Sequence, residues 1–414
     1  MNKKRFVLTL GLAGLVLGGI FLVDLIEKSH LEYVNTEEAL FRYTISCQDL
    51  RTDSATYGGF VYNTRAAGMP GHRAHLDDTY QAVSLLHQLG ALHRIDASPI
   101  VAFLNTSTQL DVTATSGYWS ADFSAIYDAL RILDAIGIAE MAPSLINFTS
   151  LRQVILLQPS QQYASLVFLA DHLEWIDHLN STWYAEQLYF RIRHYLYPSS
   201  GYAPSTTLFY QISRDIRALS VLDGAASVVP DPMEFTEFND ALTDFLLMRW
   251  DGYNGGFDSH PWGSLSSGTS YPQTITAQLR ATYEGILTAK TIGLNLVDAL
   301  MSQQEWLTSA FERLVSRCQT TYGFYVDNPN AANCLSNKPW DSEIEHNFYA
   351  VSILNLSNST ESLEKGVFRW PPGTVTVVES LGWLLLIPVI GGILVPIGIL
   401  TTKFLPAWLH KPSR

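Results

Sequence analysis

Cysteine is nearly missing from this chain: there are three among 414 residues, Cys47, Cys318 and Cys334. That is too few for a disulfide framework, and with no Cys-x-x-Cys spacing a cysteine-built metal site is not expected. Cys318 and Cys334 bracket the loop "QTTYGFYVDNPNAAN" and would close it in an oxidising exterior; the odd Cys47 leaves that pairing open. Strand-length alternation of apolar and polar residues is also almost absent, which excludes β-sandwiches and barrels. Positive charge is the third shortage. Lysine and arginine total 26 against 39 aspartates and glutamates, a net charge of −13. Six cations, Lys3, Lys4, Arg5, Lys403, Lys411 and Arg414, sit in the terminal tails, so the middle is more acidic still. This balance argues against nucleic acid as a partner.

Two long apolar runs are present. "FVLTLGLAGLVLGGIFLV" (6–23) and "LGWLLLIPVIGGILVPIGIL" (381–400) carry no charge, and at ~1.5 Å per residue the second covers a ~30 Å hydrocarbon layer. They predict membrane-spanning helices over 6–26 and 380–402. No small-x-small cleavage site closes the first run, which favours an uncleaved anchor over a signal peptide. The basic tails 1–5 and 403–414 are then cytoplasmic, and residues 29–370 form an extracytoplasmic domain of a two-pass cell-membrane protein. Five Asn-x-Ser/Thr triplets, at Asn105, Asn147, Asn180, Asn355 and Asn358, all fall between the runs, as an exterior domain allows. The short, stiff "VFRWPPG" before the second run places the domain close to the bilayer.

A repeat organises that domain. "YQAVSLLHQLG" (80–90) has an aromatic, a small residue two later, apolar positions at helical spacing and a final glycine. The pattern returns as "YDALRILDAIG" (127–137) and "YEGILTAKTIG" (283–293), with degenerate copies at Tyr163, Ile216 and Phe348. The small position is Ala82, Ala129, Ser165, Ala218, Gly285 and Ala350 in turn. Between copies come glycine–aromatic loops such as "YGGFVYN" (57–63) and "NGGFDSHPW" (254–262), then second helical stretches such as 97–105, 241–250 and 304–318. The chain reads as all-α, with about six helix pairs. Because the first and last copies are the most alike and neither is a polar cap, a closed α/α toroid is expected rather than an open solenoid. Asp77 and Asp78, in "GHRAHLDDTYQ", fall in the first turn of the first repeat helix, where carboxylates suit the helix dipole. In a toroid, such helix starts converge around one cavity.

The first repeat, "CQDLRTDSATYGGFVYNTRAAGMPGHRAHLDDTYQAVSLLHQLG", resembles a protein prenyltransferase β subunit, within the larger group of squalene and terpene cyclases. "CQTTYGF" (318–324) and "NKPWDSEIEHNFYAVSIL" (337–354) extend the resemblance over residues 40–358. It implies zinc-assisted transfer of an isoprenyl group from a diphosphate to a thiolate, with a helical-repeat protein as partner. His346 falls at the position of the family's zinc histidine. The family's Asp-x-Cys-Tyr segment reads Arg280-Ala281-Thr282-Tyr283, so the tyrosine is kept while the Asp and Cys ligands are not. No family-type zinc, nor any other cofactor, is therefore expected unless carboxylates such as Glu343 or Glu345 join His346. "HLDD" resembles the acid motif of class II terpene cyclases, with His75 in place of its first aspartate. The thioester segment of complement-like domains is absent.

The candidate site residues follow from this. Arg280 suits an anionic leaving group, with Tyr283 assisting by hydrogen bonding. His346 and His75 are candidate acids or bases, and Asp78 and Asp122 candidate acids beside Asp77 and Glu284. Trp119, Tyr271 and Trp340, with Tyr118, are loop aromatics able to floor a sugar or isoprenoid site. Three functions remain open at this point: an isoprenoid- or lipid-handling transferase with a remodelled zinc site, a binding or scaffold module that kept the fold, and a carbohydrate-active enzyme, for which no spacing pairs two carboxylates. No protein partner is identified.

Overall fold

Helix formation follows the apolar spacing along most of the chain. The computed structural model describes residues 32–370 apart from 68, 70, 116–117, 121, 158–161, 197–205, 223–231, 260–275, 321, 333–341, 365 and 367. The two apolar runs, Tyr271, Trp340 and Cys334 lie outside the described residues. Among the described residues no helix is long and apolar enough to cross a membrane. The chain divides into two units, Asn35–Phe368 and a second made of the two terminal segments. Glu32–Val34 pairs with Phe368–Trp370 as a two-stranded sheet.

Twelve helices of nine residues or more are described, all in the unit Asn35–Phe368. The odd-numbered ones are the return helices: α1 (Thr36–Ser46), α3 (Ser98–Thr106), α5 (Phe148–Leu157), α7 (Ser181–Leu196), α9 (Pro232–Leu247) and α11 (Gln304–Cys318). The even-numbered ones carry the repeat: α2 (Leu76–Gln88), α4 (Phe123–Ala135), α6 (Tyr163–His172), α8 (Thr206–Val221), α10 (Leu279–Thr291) and α12 (Ile344–Leu356). The sequence pattern starts at Tyr80, but α2 begins a turn earlier, at Leu76, with Asp77 and Asp78 in its first turn as expected. The short strands, such as Trp250–Asp251 against Gly256–Phe257, only close loops.

Each repeat helix packs against the next, α2 on α4, α4 on α6, α6 on α8, α8 on α10 and α10 on α12, and α12 packs back on α2. All six small positions are buried between neighbours. Five repeat helices stop in one way, through a backbone bond from the third residue past the helix to the carbonyl five back: Ala91 to Leu86, Ile138 to Leu133, Trp175 to Ala170, Leu294 to Ala289 and Ser359 to Leu354. That closure needs a left-handed residue just before, which the pattern supplies as Gly90, Gly137 and Gly293, and the degenerate copies as Glu174 and Asn358.

The glycine–aromatic loops lock onto the repeat helices through one recurring bond. The backbone N–H of Phe60 donates to Thr79 Oγ1 (3.0 Å), that of Phe257 to Thr282 Oγ1 (2.9 Å), and that of Tyr325 to Asn347 Oδ1 (2.9 Å). Thr79, Thr282 and Asn347 hold the same position in α2, α10 and α12, and all three are fully buried. The loops need glycine because they press on the return helices. A Cβ on Gly58, at φ +92°, would stand 1.7 Å from the Pro99 carbonyl, and one on Gly255, at φ +87°, 2.3 Å from that of Ala310.

The disulfide left open by the sequence is not formed at Cys318. Its side chain is a buried free thiol 4.0 Å from the Asp327 carbonyl, and Cys47 is a buried free thiol too. Burial pushes both thiols well above their ordinary range, so neither is a nucleophile at neutral pH.

Candidate functional site

Four of the sequence candidates, His75, Asp77, Asp78 and Asp122, meet at one place. The starts of α2 and α4 enclose a cavity of about 430 Å³ lined by His75, Asp77, Asp78, Asp122, Ser124 and Asp128, among others. Asp122 has a structural task there as the N-cap of α4, accepting the Ala125 N–H at 3.1 Å. Asp77 accepts the Asp78 N–H at 3.0 Å, and His75 ends α2 without a capping bond. Asp78 and Asp128 are different. Burial drives the Asp78 carboxyl up to about 7, helped by the negative charges of Asp77, Glu345 and Glu343. Burial also lifts Asp128 to about 7, against the pull of Arg214 and Arg131, with Asp77 and Asp122 pushing the same way as burial. One cavity therefore holds two carboxyls that exchange protons near neutrality, one amid carboxylates and the other beside guanidinium groups.

Arg280 and His346 meet a second set. Arg280 donates to Glu345 at 2.9 Å, and its guanidinium lies 4.2 Å from the centre of the Tyr210 ring. The Asp327 backbone and carboxylate receive the N–H groups of Leu279 (2.8 Å) and Arg280 (3.5 Å), and burial raises Asp327 while the nearby His346 opposes. His346 Nδ1 is buried without a hydrogen-bond partner among the described residues. Tyr283 packs against Phe348 and Tyr349, 5.8 and 5.2 Å between ring centres, and burial pushes its hydroxyl up to about 12. This set adjoins the acidic cavity electrostatically, because Glu345 also bears on Asp78.

The family's zinc does not fit these residues. Where the family places an aspartate ligand, this chain has a guanidinium already paired with Glu345. Where the family places cysteine, Thr282 is fully buried and holds the Phe257 N–H. Among the described residues no group of three histidines, cysteines or acids is placed to hold a metal. As for the loop aromatics, the Trp119 backbone lies in a short strand opposite Ala114, and Tyr271 and Trp340 fall outside the described residues.

Sequence reasoning missed Asp128, Arg214 and Arg217. Their signal was positional. One residue past the repeated aromatic stand Asp128, Arg217, Glu284 and Tyr349, and two before it stand Asp78, Arg214 and His346. Matching positions on adjacent helices meet in ion pairs: Arg217 with Glu284 at 2.6 Å between α8 and α10, and Arg280 with Glu345 between α10 and α12. Ionisable groups thus line one side of the repeat helices, while the apolar positions pack between them. No family model matches the chain, and no curated protein matches it.

Proposed function

We propose that the unit Asn35–Phe368 is an α/α toroid of the prenyltransferase kind, tethered to a membrane by the runs 6–26 and 380–402, whose acidic cavity performs acid–base chemistry on a hydroxyl-bearing head group. The toroid is supported by the order of helix packing, with the sixth repeat helix against the first. The chemistry rests on one arrangement: Asp78 and Asp128, on adjacent helices, line one cavity, and burial pushes both carboxyls up to about 7. Asp78, surrounded by carboxylates that resist its ionisation, is the acid. Asp128, beside Arg214 and Arg131, is the base. Most of the remaining lining, His75, Asp77, Gln109, Asp122 and Ser124 against Leu76 and Ala125, is polar, which suits a saccharide or polyol rather than an isoprenyl tail. The isoprenoid or other lipid implied by the resemblance enters this reading as the anchor of the head group, held near the bilayer by the two spans.

The test is turnover of aryl glycosides and of a membrane lipid extract by the full-length chain and its Asp78→Asn and Asp128→Asn variants. Turnover is expected to fall ~10²-fold or more in each variant, on a pH profile with its maximum near 7. If the folded wild-type chain turns over nothing and both variants retain the same lipids, the enzyme reading is lost. A second reading is favoured by the ion pairs between α8, α10 and α12: charged groups that satisfy one another serve a binding or scaffold module as well as an enzyme. That outcome would leave it standing.

A further inference from the structure

A second cavity, of about 480 Å³, opens between α6, α7 and α8, with Tyr163, Arg191, Gln211, Arg214 and Asp215 in its wall. Two of its three charges cancel. Arg191 grips the buried Asp215 through both guanidinium edges, one at 2.6 Å, and lies 5.2 Å from the Tyr163 ring centre. Arg214 has no such partner. Among the described residues its guanidinium makes one hydrogen bond, to Ser124 Oγ at 3.0 Å, and no carboxylate comes within ion-pair distance. A guanidinium has five donors in a rigid fork that matches phosphate or carboxylate oxygens. One donor is used here, and the cavity is where an acceptor for the others would sit. Nearby Asp128, Asp215 and Glu284 attract this partly buried cation without a hydrogen bond to it, and an anion in the cavity would use the donors they leave free.

We infer that this cavity is an anion-binding site in which Arg214 receives the phosphate or carboxylate group of a small or lipid-borne ligand, with Gln211 at the mouth. Of the charged groups that line the cavity, Arg191, Arg214 and Asp215 leave one positive charge, while Asp128 and Glu284 attract Arg214 from outside its lining without bonding it. Ser124 lines the acidic cavity and bonds Arg214, so the two cavities share a wall. The site stands whether or not Asp78 and Asp128 do chemistry, because it is a statement about binding alone.

The experiment titrates inorganic phosphate into the full-length chain in mild detergent by calorimetry, and in a parallel arm measures by native mass spectrometry the retention of phosphatidylglycerol over phosphatidylcholine from mixed micelles. Saturable phosphate binding is expected, weakened about ten-fold or more in Arg214→Gln and several-fold in Gln211→Glu, and unchanged in Arg152→Gln on the exposed surface. Phosphatidylglycerol retention lost in the same two variants, without phosphate binding, also supports the site and makes the source a lipid head group. Gln211 is exposed, so its substitution tests the site even if Arg214→Gln does not fold. Wild-type chain that binds neither probe, or variants that bind either as the wild type does, would overturn the assignment.

Discussion

At the scale of single residues, three carboxyls, Asp78 and Asp128 partly buried and Asp49 buried, define how this protein should respond to pH. Asp78 and Asp128 titrate near 7 in the fold and near the ordinary aspartate value of ~3.9 when unfolded. The folded state therefore holds protons that the unfolded state releases, and stability falls as pH rises from about 4 to 7, levelling off above. Asp49 runs the other way. Burial opposes its ionisation, but hydrogen bonds from Arg51 (2.8 and 3.0 Å), Ser54 and Thr56 outweigh burial and hold it down to about 2. Its contribution is present above ~4 and lost as pH falls toward 2. Asp128→Asn is expected to be clearly more favourable to stability at pH 8 than at pH 4, whereas Asp49→Asn should destabilise more at pH 7 than at pH 2. Urea denaturation across pH checks both, and a pH-independent difference would sink either. Asp78 was legible in the sequence because a doubled aspartate opens the first repeat. Asp128 was not, because a lone aspartate inside an amphipathic helix looks like one more solvated position until burial and its arginine neighbours are known.

At the scale of elements, the loop-to-helix lock carries the repeat. Removing the Thr282 hydroxyl leaves the Phe257 N–H buried without an acceptor, and at ~1 to 3 kcal/mol for an orphaned buried donor, Thr282→Val is expected to cost about that much. Thr79→Val should cost the same through Phe60, since the two bonds differ by 0.1 Å. A Cβ on Gly285 would lie 2.7 Å from the Phe257 ring, which is itself fully buried. Gly285→Ala is therefore expected to lower stability by about 1 to 3 kcal/mol despite alanine's better helix propensity. Thermal denaturation monitored by circular dichroism decides, and an unchanged or raised midpoint for Gly285→Ala would show that the hairpin yields. The repeat helices, their glycine stops and their small positions were readable from the sequence because each leaves a local mark of spacing or composition. The return helices α1, α5 and α7 were not, because their apolar positions are interrupted by polar ones such as Glu38, Arg152 and Glu186 and they carry no small-residue signature. The stretch 241–250 marked only the second half of α9, whose start at Pro232 uses proline where its missing N–H does no harm.

At the scale of the whole helical unit, the decisive contact is the one between its first and last repeat helices. The seam is polar as well as apolar. Gln88 on α2 meets Ser352 at 3.0 Å and Asn355 at 3.1 Å on α12, and the Ile344 N–H donates to the Tyr62 carbonyl at 2.9 Å. Tyr43, on the amino-terminal helix α1, donates its hydroxyl to the Ser342 carbonyl at 2.5 Å, so the earliest helix completes the last repeat. In the sequence only the likeness of "AVSLL" and "AVSIL" hinted at this contact; the residues that make the seam, Gln88, Ser352 and Asn355, have no shared motif. Asn355 is also one of the five glycosylation triplets, and its amide is spent on Gln88, so a glycan there conflicts with the seam. In an open array of repeats the two ends fray first, whereas a closed set has no end to fray. Hydrogen exchange on the full-length chain is accordingly expected to protect α2 and α12 as strongly as α8 and α10. Tyr43→Phe should lower protection across α1, α2 and α12 together, not α1 alone. Were α2 and α12 to exchange much faster than the central helices, the seam would be a resting contact between two ends of a solenoid, and a cavity assembled at the start of α2 could not be rigid enough to hold Asp78 and Asp128 at a fixed separation.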